Sequence, residues 1–459
     1  MIAAVACLAA LVIACAGDRT VRDLGTRAVV IGIDGADWKI IEALAEEGGM
    51  RNLMALRERG TWGAIETLHD IPLSPVIWTS VATGRPAVDH GITWFMVDRP
   101  DGTRAPVRSH NRRVKAIWNI LAEHDRRTTA VGWWATYPAE DLAEGIMVSD
   151  ALGYHGFGAT ARGGDDGRKT HPPEIYEELA PLVPPEGRID AAYAARYLNI
   201  PSDEYARLMY DPGRSPQHDP FNPVHLFQQY AVTAEGYTSI GERLLERPFD
   251  LFMLYFEQVD SFSHLFMKYA PPRLEWVGEE PYARFRDVVA EWYLYQDELL
   301  GRLLEKIDLE TTAVFVLSDH GFKSGDRRIR SERTIDVNKA HLDHETHGIF
   351  IAAGPHVRAG AKVGEVSVID MTPTLLHYLG FPVAEDMAGR VLESVFVPEF
   401  MESNPVRTVA SYEDDGSESV PAVPAEELDE AQVAANLEAL EALGYVGGPS
   451  GDSSPTVAG

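Results

Sequence analysis

Apolar runs without polar alternation recur along the chain. They cover residues 28–34, 128–134, 249–257, 312–319 and 348–355. Continuous apolar runs of this length are typical of strands that are buried on both faces, as in a parallel sheet. Helix-length patterns separate them, for example WKIIEALAEEGG after the first run and residues 283–307 before the fourth. This alternation predicts an α/β fold with a doubly wound, mostly parallel sheet and helices on both faces.

The strand and helix pattern gives way to Gly, Pro and charged residues from about residue 155, as in GATARGGDDGRKTHPPE and YDPGRSPQHDPFNP. Long irregular stretches inside a domain are commonly functional loops. We therefore predict a cap inserted at about residues 155–245 of a domain that spans residues 26–396, and we expect substrate choice to depend on it.

The chain changes character again after residue 396. Residues 397–459 begin with an acidic linker rich in Pro and Ser, continue with a short helical pattern and end in GGPSGDSSPTVAG. The helical pattern places Leu437, Leu440 and Leu443 on one face. We predict a short helix that is available to a protein partner, followed by a disordered tail.

The first fourteen residues are apolar without a break but too few to cross a bilayer, which is typical of a signal-peptide core. The run ends in VIAC and resembles a bacterial lipobox, which implies that residues 1–15 are a signal and that Cys15 is lipidated. An exported lipoprotein of the cell envelope, periplasmic or on the outer surface, is then expected, and a plain secretory signal is the alternative. Cys7 and Cys15 are the only cysteines, so no disulfide framework is expected.

Composition limits the class of partner. The chain has 459 residues, of which 45% are hydrophobic and 24% charged, and its formal net charge is −29. This composition is that of a globular protein with a large core. The acidic balance argues against polymeric nucleic acid as a partner. If the substrate is a small phosphate ester, local positive charge must attract it, and bound metal is the simplest source.

Carboxylates and imidazoles follow three of the predicted strands. Asp34 ends the first run, Asp319 and His320 end the fourth, and Asp260 and His264 follow the third with helical spacing. The carboxyl ends of parallel strands meet at one edge of the sheet, where the working site of such folds lies. Oxygen and nitrogen ligands of this kind suit zinc.

A candidate nucleophile lies in LSPVIWTSVATGRP, where Ser74 precedes Pro75 and the helical run closes at Gly84. Proline is favoured at the first helical position, so we predict Ser74 at the N-cap with free backbone amides beside it. Such amides bind phosphate oxygens. A serine in this position is most often only a helix cap, but a metal that lowers the pKa of its hydroxyl would make it a nucleophile.

Together these motifs resemble the type I phosphodiesterase and nucleotide pyrophosphatase branch of the alkaline phosphatase superfamily. The resemblance runs from about residue 28 to 395 and includes GIDG, SPVIWTSVATGRPAVDHGI, DSFSH, LSDHGF, GIFIAAGPHV and DMTPTLLHYLG. It implies a two-metal hydrolase of phosphate monoesters or diesters, with zinc as the metal and a phosphoseryl intermediate on Ser74. The implied ligands of one metal are Asp34, Ser74, Asp319 and His320, and those of the other are Asp260, His264 and a late histidine.

The late histidine has two candidates in DHETHGIF. The family spacing, four residues before Gly348, implies His344, and His347 is the alternative. The resemblance also has a departure. Ile77 stands where nucleotide pyrophosphatases usually carry an asparagine that holds a phosphate oxygen, so specificity for nucleotides is not implied.

The same features of the sequence bear on alternative functions. No cysteine lies near position 74, which argues against a sulfatase, and the export signal argues against a cytoplasmic phosphoglycerate mutase. A phospho-group transferase would use the same nucleophile and stays an alternative. A non-catalytic surface lipoprotein with a decayed site is the other alternative, but such a protein should lack ligands, whereas every implied position is filled.

Overall fold

The computed structural model describes residues 20–68, 73–98, 102, 104–153, 167–209, 222–330 and 341–413. The predicted signal segment with Cys15 and the predicted helix at Leu437, Leu440 and Leu443 lie outside these residues. Within the described ranges, no helix has both the length and the apolar character needed to cross a membrane.

The elements alternate along the chain as the apolar runs predict. The strands, numbered in chain order, are β1 Ala28–Ile33, β2 Thr61–Glu66, β3 Met96–Asp98, β4 Arg104–Pro106, β5 Thr128–Val131, β6 Ile146–Val148, β7 Thr170–His171, β8 Leu251–Phe256, β9 Ala313–Leu317, β10 Gly321–Phe322, β11 His344–Glu345, β12 His347–Ala353, β13 Ala361–Lys362, β14 Val366–Ser367, β15 Val383–Ala384 and β16 Thr408–Val409. The α-helices are α1 Trp38–Glu46, α2 Arg51–Arg59, α3 Ser74–Thr83, α4 Ala87–His90, α5 Ile117–Ala122, α6 Asp150–Gly153, α7 Tyr176–Leu179, α8 Ala191–Ala194, α9 Ser202–Met209, α10 Pro223–Leu244, α11 Gln258–Phe266, α12 Glu279–Phe285, α13 Val288–Leu304, α14 Met371–Tyr378 and α15 Pro398–Ser403.

One mixed sheet forms the centre of the fold. Among the described residues it has ten strands in the order β13-β2-β12-β9-β1-β8-β5-β6-β7, with β14 also paired to β2. Strands β9, β1, β8, β5 and β6 run parallel to one another. Every residue of β1, β8 and β9 is buried, as expected for strands covered on both faces. The predicted mostly parallel α/β fold is therefore confirmed.

The direction of β12 is a feature that the apolar runs do not reveal. This strand is antiparallel to β9, with Phe350 opposite Leu317. The described part of the connection between them contains the antiparallel β10–β11 pair. Antiparallel neighbours need no crossover helix, so the chain re-enters the sheet at the edge where β9 ended. The start of β12 consequently lies at the same edge as the carboxyl ends of β1, β8 and β9.

The segment predicted as a cap contains helices where the structure describes it. Three of them, α7, α8 and α9, are short. The 22-residue α10 packs against β8 and β5. Its Tyr237 hydroxyl donates a hydrogen bond of 3.0 Å to the backbone carbonyl of Asp150. The boundaries at about 155 and 245 stay a prediction.

Candidate active site

Six of the predicted ligands converge at the carboxyl edge of the parallel strands. They are Asp34 after β1, Asp260 and His264 on α11, Asp319 and His320 after β9, and His344 in β11. We call these six residues the carboxylate–histidine cluster. The side chains of Asp34, Asp260, Asp319 and His320 are at most 1% exposed. The strand ends thus bring together residues that lie up to 310 positions apart in the sequence.

A glycine allows the first of these strand ends to approach α11 closely. Gly35 has φ +68°, and a Cβ atom at this position would lie 2.9 Å from Cβ of Asp260. The Gly35 N–H donates a hydrogen bond of 3.2 Å to Oδ1 of Asp319. The GIDG motif therefore turns the chain away from β1 while keeping Asp34 beside the other two carboxylates.

One group within the cluster is formed by Asp260, His264 and His344. Their ligand atoms lie within 4.8 Å of one another. Nε2 of His264 lies 3.0 Å from Nε2 of His344 and 3.3 Å from Oδ2 of Asp260. Two ring nitrogens and a carboxylate oxygen that face one another are the donor set expected around a divalent cation. Asp260 and His264 share a helix face, as their spacing predicts.

A second group contains Asp34, Asp260 and His320. Nε2 of His320 lies 3.5 Å from Oδ1 of Asp34 and 3.4 Å from Oδ2 of Asp319. Nδ1 of His320 lies 3.0 Å from the carbonyl oxygen of Gly321. Since a carbonyl only accepts, Nδ1 carries the proton and the lone pair of Nε2 points at the carboxylates. Asp260 belongs to both groups, which the ligand assignment from sequence did not anticipate.

The two late histidines have different surroundings. His344 is buried and belongs to the first group, 3.5 Å from Asp260 through its Nε2 atom. His347 is exposed at the start of β12, and its Nδ1 atom lies 2.8 Å from the hydroxyl of Thr346. The structure therefore brings His344 to the cluster and leaves His347 outside it.

Ser74 is the first residue of α3, and the predicted N-cap position is wrong by one residue. The N-cap is Leu73, whose carbonyl accepts hydrogen bonds from the amides of Val76 and Ile77. Pro75 has no N–H group, so the first turn offers fewer free amides to a phosphate than the sequence suggested. The Ser74 hydroxyl makes no hydrogen bond to a described residue.

The helix that carries Ser74 is tied to the cluster by Trp78. Its indole Nε1 donates a hydrogen bond of 3.0 Å to Oδ2 of Asp34. Residues four apart lie on the same helix face. Ser74 and Trp78 therefore both face the end of β1 where Asp34 lies. The closing Gly84 has φ +68°, in agreement with the predicted end of this helix.

The electrostatics of the cluster disfavour the ionised forms of Asp34 and Asp319 unless positive charge is present. Burial, followed by repulsion from Asp319 and Asp260, raises the pKa of Asp34 well above its usual value. Burial and the charge of Asp260 raise the pKa of Asp319 to about 7. Burial opposes the ionisation of Asp260 as well, but the neighbouring His264, His344 and His320 hold its pKa below the usual value. Bound cations would relieve this repulsion.

The residues present fit divalent metal ions. Within the part of the chain that the structure describes, four buried polar atoms at this site have no hydrogen-bond partner: Oγ of Ser74, Oδ1 of Asp34, Oδ2 of Asp319 and Nε2 of His320. Buried polar groups without partners are few in proteins, and a bound ion is one explanation for a cluster of them. The oxygen and nitrogen donors at this site suit zinc.

Some residues of the site were missed by the sequence analysis. The Tyr255 hydroxyl donates a hydrogen bond to Oδ2 of Asp34, and Oδ2 of Asp343 lies 3.8 Å from Nδ1 of His264. Two signals in the sequence could have indicated them: Tyr255 lies near the end of the apolar run 249–257, and Asp343 directly precedes His344. Trp78 could have been found by its helical spacing from Ser74.

Comparisons with known proteins place this site in a family. Residues 28–370 match the family model described as type I phosphodiesterase / nucleotide pyrophosphatase. Among solved structures, murine ectonucleotide pyrophosphatase / phosphodiesterase 5 is 12% identical with a TM-score of 0.42, and the match covers 78% of this chain and 95% of that chain. Phosphonoacetate hydrolase from Sinorhizobium meliloti is 16% identical with a TM-score of 0.39, and the match covers 67% and 59%.

Curated relatives match over shorter segments. The 2,3-bisphosphoglycerate-independent phosphoglycerate mutase of Cereibacter sphaeroides is 33% identical over 100 residues, which are 21% of this chain and 18% of the mutase. The corresponding mutase of Clostridium acetobutylicum is 27% identical over 167 residues, 36% of this chain and 26% of the mutase. The family model, by contrast, spans well over half of the chain, and the matched range includes all six cluster residues as well as Ser74. The chain belongs to the type I phosphodiesterase / nucleotide pyrophosphatase family.

Proposed function

We propose that this protein hydrolyses phosphate esters through a phosphoseryl intermediate on Ser74, with two divalent metal ions, zinc in the first place, bound by the carboxylate–histidine cluster. The observation that carries the proposal is the pair of ligand groups that share Asp260. Helix α3, which carries Ser74, is joined to these groups by the hydrogen bond from Trp78 to Asp34. Family membership supports phosphate ester hydrolysis as the reaction class.

The ligands divide between the two ions as follows. Asp34, Ser74, Asp319 and His320 would hold one ion, and Asp260, His264 and His344 would hold the other. Asp260 lies within reach of both groups. When bound, such ions supply the positive charge that lowers the pKa of a serine hydroxyl and stabilises charge on phosphoryl and leaving oxygens.

The reaction takes place in two displacements at phosphorus. In the first, Oγ of Ser74 forms a bond to phosphorus, and the bond from phosphorus to the leaving oxygen breaks, so the released alcohol takes up the proton that the serine gives up. In the second, water attacks the phosphoseryl group, which releases phosphate, or a monoester when the substrate is a diester, and restores the serine. The lack of a hydrogen bond on Oγ in the structure leaves this atom available for attack.

The test compares an aryl phosphate monoester with the matching diester on the purified, zinc-loaded protein. We expect turnover of at least one of them and acid-stable phosphate on Ser74 after rapid quenching. Ile77 occupies the place of a phosphate-binding asparagine, so no preference for nucleotide diesters is expected. Turnover of neither ester by protein that binds zinc would contradict the proposal and favour a non-catalytic surface protein.

Phospho-group transfer is a second candidate. The local identity of 33% to a phosphoglycerate mutase favours it, because a mutase passes a phosphoryl group to a second hydroxyl. Adding a polyol to the ester assay separates the two reactions. When the monoester is hydrolysed, phosphate and the leaving alcohol form in equal amounts, whereas under transfer a phosphorylated polyol accumulates at the expense of free phosphate.

We also propose that the protein works outside the cytoplasm, at the cell envelope, held by a lipid on Cys15. The VIAC sequence after an apolar run supports this location. Metabolic labelling with a fatty acid tests it. Label that is present in the wild type and absent from Cys15→Ser is expected, and label that persists in the variant would contradict the anchor. The predicted helix with Leu437, Leu440 and Leu443 is proposed as a docking element for a protein partner.

A further inference from the structure

The two oxygens of the Asp34 carboxylate have different surroundings. Oδ2 accepts hydrogen bonds from the indole Nε1 of Trp78, at 3.0 Å, and from the hydroxyl of Tyr255. Oδ1 has no hydrogen-bond partner among the described residues and lies 3.5 Å from Nε2 of His320. Oδ2 is therefore occupied by hydrogen-bond donors of the protein, and Oδ1 faces His320 in the second ligand group.

The direction of these hydrogen bonds is fixed by chemistry. Indole Nε1 can only donate, so Trp78 donates to Asp34 and Trp134 donates to the Tyr255 oxygen at 2.7 Å. Tyr255 has a single hydroxyl proton, and its oxygen already accepts from Trp134, so the proton points to Asp34. A proton on Oδ2 would meet the indole N–H of Trp78. Both donors therefore point at Oδ2, and Oδ1 is the oxygen that remains for a metal ion.

These side chains belong to a larger packed unit, which we call the aromatic belt: Trp78, Trp133, Trp134 and Tyr255. Ring centroids of its neighbouring members lie 5.0 to 6.4 Å apart with edge-to-face geometry. Trp133 donates a hydrogen bond of 2.9 Å to the backbone carbonyl of Trp78. Packing of this kind locks rotamers, so the donors cannot swing away from Asp34.

Trp78 also connects Asp34, the proposed metal ligand, to Ser74, the proposed nucleophile. It lies one turn beyond Ser74 on α3, and its ring rests against β1 at Gly32, where a Cβ atom would lie 2.7 Å from the ring. A larger residue at Gly32 would force α3 away from the strand. The hydrogen bond from Trp78 to Asp34 thus sets the distance between the strand that carries the ligand and the helix that carries Ser74.

We propose that Tyr255 and Trp78 are positioning residues, which hold Asp34 as a ligand through Oδ1 alone and fix Ser74 relative to it. The inference rests on the proposed function for its catalytic consequence, but its effect on metal binding does not require turnover. Hydrogen-bond partners of metal ligands typically change metal affinity or activity by about 10- to 100-fold when removed.

Tyr255→Phe tests the hydroxyl with the ring retained. The matched control is Tyr378→Phe, because Tyr378 is also fully buried and its hydroxyl donates to the backbone carbonyl of Pro355 at 3.1 Å, away from the cluster. Metal-free protein is titrated with zinc in competition with a chromogenic chelator. We expect about a 10-fold or greater loss of affinity at one of the zinc sites in Tyr255→Phe and wild-type affinity in the control.

Trp78→Phe removes the second donor and answers the same question if Tyr255→Phe does not fold. Its control is Trp118→Phe, which loses an indole hydrogen bond of 3.2 Å to Glu140. We expect weaker zinc binding and a lower kcat with KM nearly unchanged for Trp78→Phe, and neither effect for Trp118→Phe. Tyr255→Phe added to Asp34→Asn should cause no further loss of affinity, because both act on one ligand.

The outcomes separate this inference from the proposed function. Wild-type zinc affinity in folded Tyr255→Phe and Trp78→Phe would overturn it, even if the protein proves to be a phosphate ester hydrolase. Loss of affinity in these variants, with both controls unchanged, supports it even if the wild type hydrolyses neither aryl ester.

Discussion

The carboxylate–histidine cluster can be compared with a second buried polar cluster, formed by Arg112, Trp118, Asn119 and Glu140. In the latter, which we call the Glu140 cluster, both carboxylate oxygens of Glu140 accept hydrogen bonds from the other three side chains at 2.6 to 3.2 Å. Arg112 also donates to the carbonyl of Val114 at 3.0 Å. The first cluster, by contrast, holds three carboxylates close together and leaves polar atoms of four residues without partners among the described residues.

The difference separates a structural role from a functional one. A closed network of buried charges satisfies its own donors and acceptors, so nothing remains to bind a ligand. An open network is destabilising in the absence of its ligand, and it persists where function requires it. The same contrast occurs within α3. The Ser80 hydroxyl lies 2.9 Å from Nε2 of His90 and donates to the carbonyl of Val76, whereas the Ser74 hydroxyl has no partner.

Replacing Ser74 should have the largest effect on activity. Ser74→Ala removes the proposed nucleophile and a metal ligand together, and the loss of kcat expected for such a residue is on the order of ten-thousand-fold or more. The melting temperature should stay near that of the wild type, because the hydroxyl makes no hydrogen bond in the fold. Steady-state kinetics paired with a thermal melt measure both quantities.

Ser80→Ala is the control on the same helix. It removes a satisfied hydroxyl and leaves the His90 ring without that partner, which should cost about 1 to 3 kcal/mol of stability with activity retained. Loss of a nucleophile should leave far less than about one hundredth of the wild-type activity. If Ser74→Ala kept more than that, Ser74 would have no catalytic role.

The second prediction concerns Asp260, the residue that the two ligand groups share. Elemental analysis of the wild type should find about two equivalents of zinc or a similar divalent ion. Asp260→Ala should lower the content below about one equivalent, because both groups lose a ligand. The control is Asp203→Ala, which removes an exposed carboxylate outside the cluster and should keep the wild-type metal content. Unchanged metal content in Asp260→Ala would contradict the assignment of this cluster as a metal site.

The third prediction separates the late histidines. His344→Ala should reduce activity by at least about 100-fold, because a ligand should matter no less than its hydrogen-bond partners. His347→Ala should change activity by about twofold at most, as expected of an exposed side chain. Parallel kinetics of the two zinc-loaded variants test this difference. The reverse order would place His347 in the site and refute the arrangement of β11 and β12 around the cluster.

The sequence predicted the centre of the fold because its strands are buried on both faces and therefore appear as unbroken apolar runs. It did not predict the direction of β12, since an apolar run is the same in either direction. That direction matters for the site. His344 reaches the cluster because it precedes an antiparallel strand, whereas the other ligands follow parallel strands.

The site was predictable where spacing along one element determines geometry, as for Asp260 and His264 on α11. It was not predictable where the geometry depends on contacts between elements. The two groups share Asp260 because α11 packs close to the turn at Gly35, and Asp34 is held by Tyr255 from the neighbouring strand β8. The N-cap of α3 was misassigned because Leu73, not Ser74, supplies the first accepting carbonyl.

A fourth prediction tests the closed network. In Glu140→Gln the amide has only one acceptor oxygen for the donors that meet the carboxylate, and the buried Arg112 loses its counter-charge. Breaking a buried ion pair in this way should lower the free energy of unfolding by about 3 to 5 kcal/mol. Chemical denaturation measures this loss. The zinc content and kcat of the folded variant should match the wild type, and a change in either would show that the Glu140 cluster contributes to the site.

Removing a carboxylate from the carboxylate–histidine cluster should change stability with the opposite sign. The pKa of Asp319 is raised to about 7 in the folded protein by burial and by Asp260, whereas in the unfolded chain the group ionises at about 4. The folded state therefore holds an extra proton between these pH values, and the metal-free protein loses stability as the pH rises through this window. Asp319→Asn cannot ionise, so in metal-free protein it should have the higher melting temperature at pH 8 and nearly the wild-type value at pH 4. The gain in the free energy of unfolding at pH 8 should be at most about 4 kcal/mol, the equivalent of about three pKa units. Thermal melts in the presence of a chelator at both pH values give the comparison. A variant that melts lower than the wild type at pH 8 would mean that the Asp319 carboxylate stabilises the fold, and the contrast between the open and closed clusters would not hold.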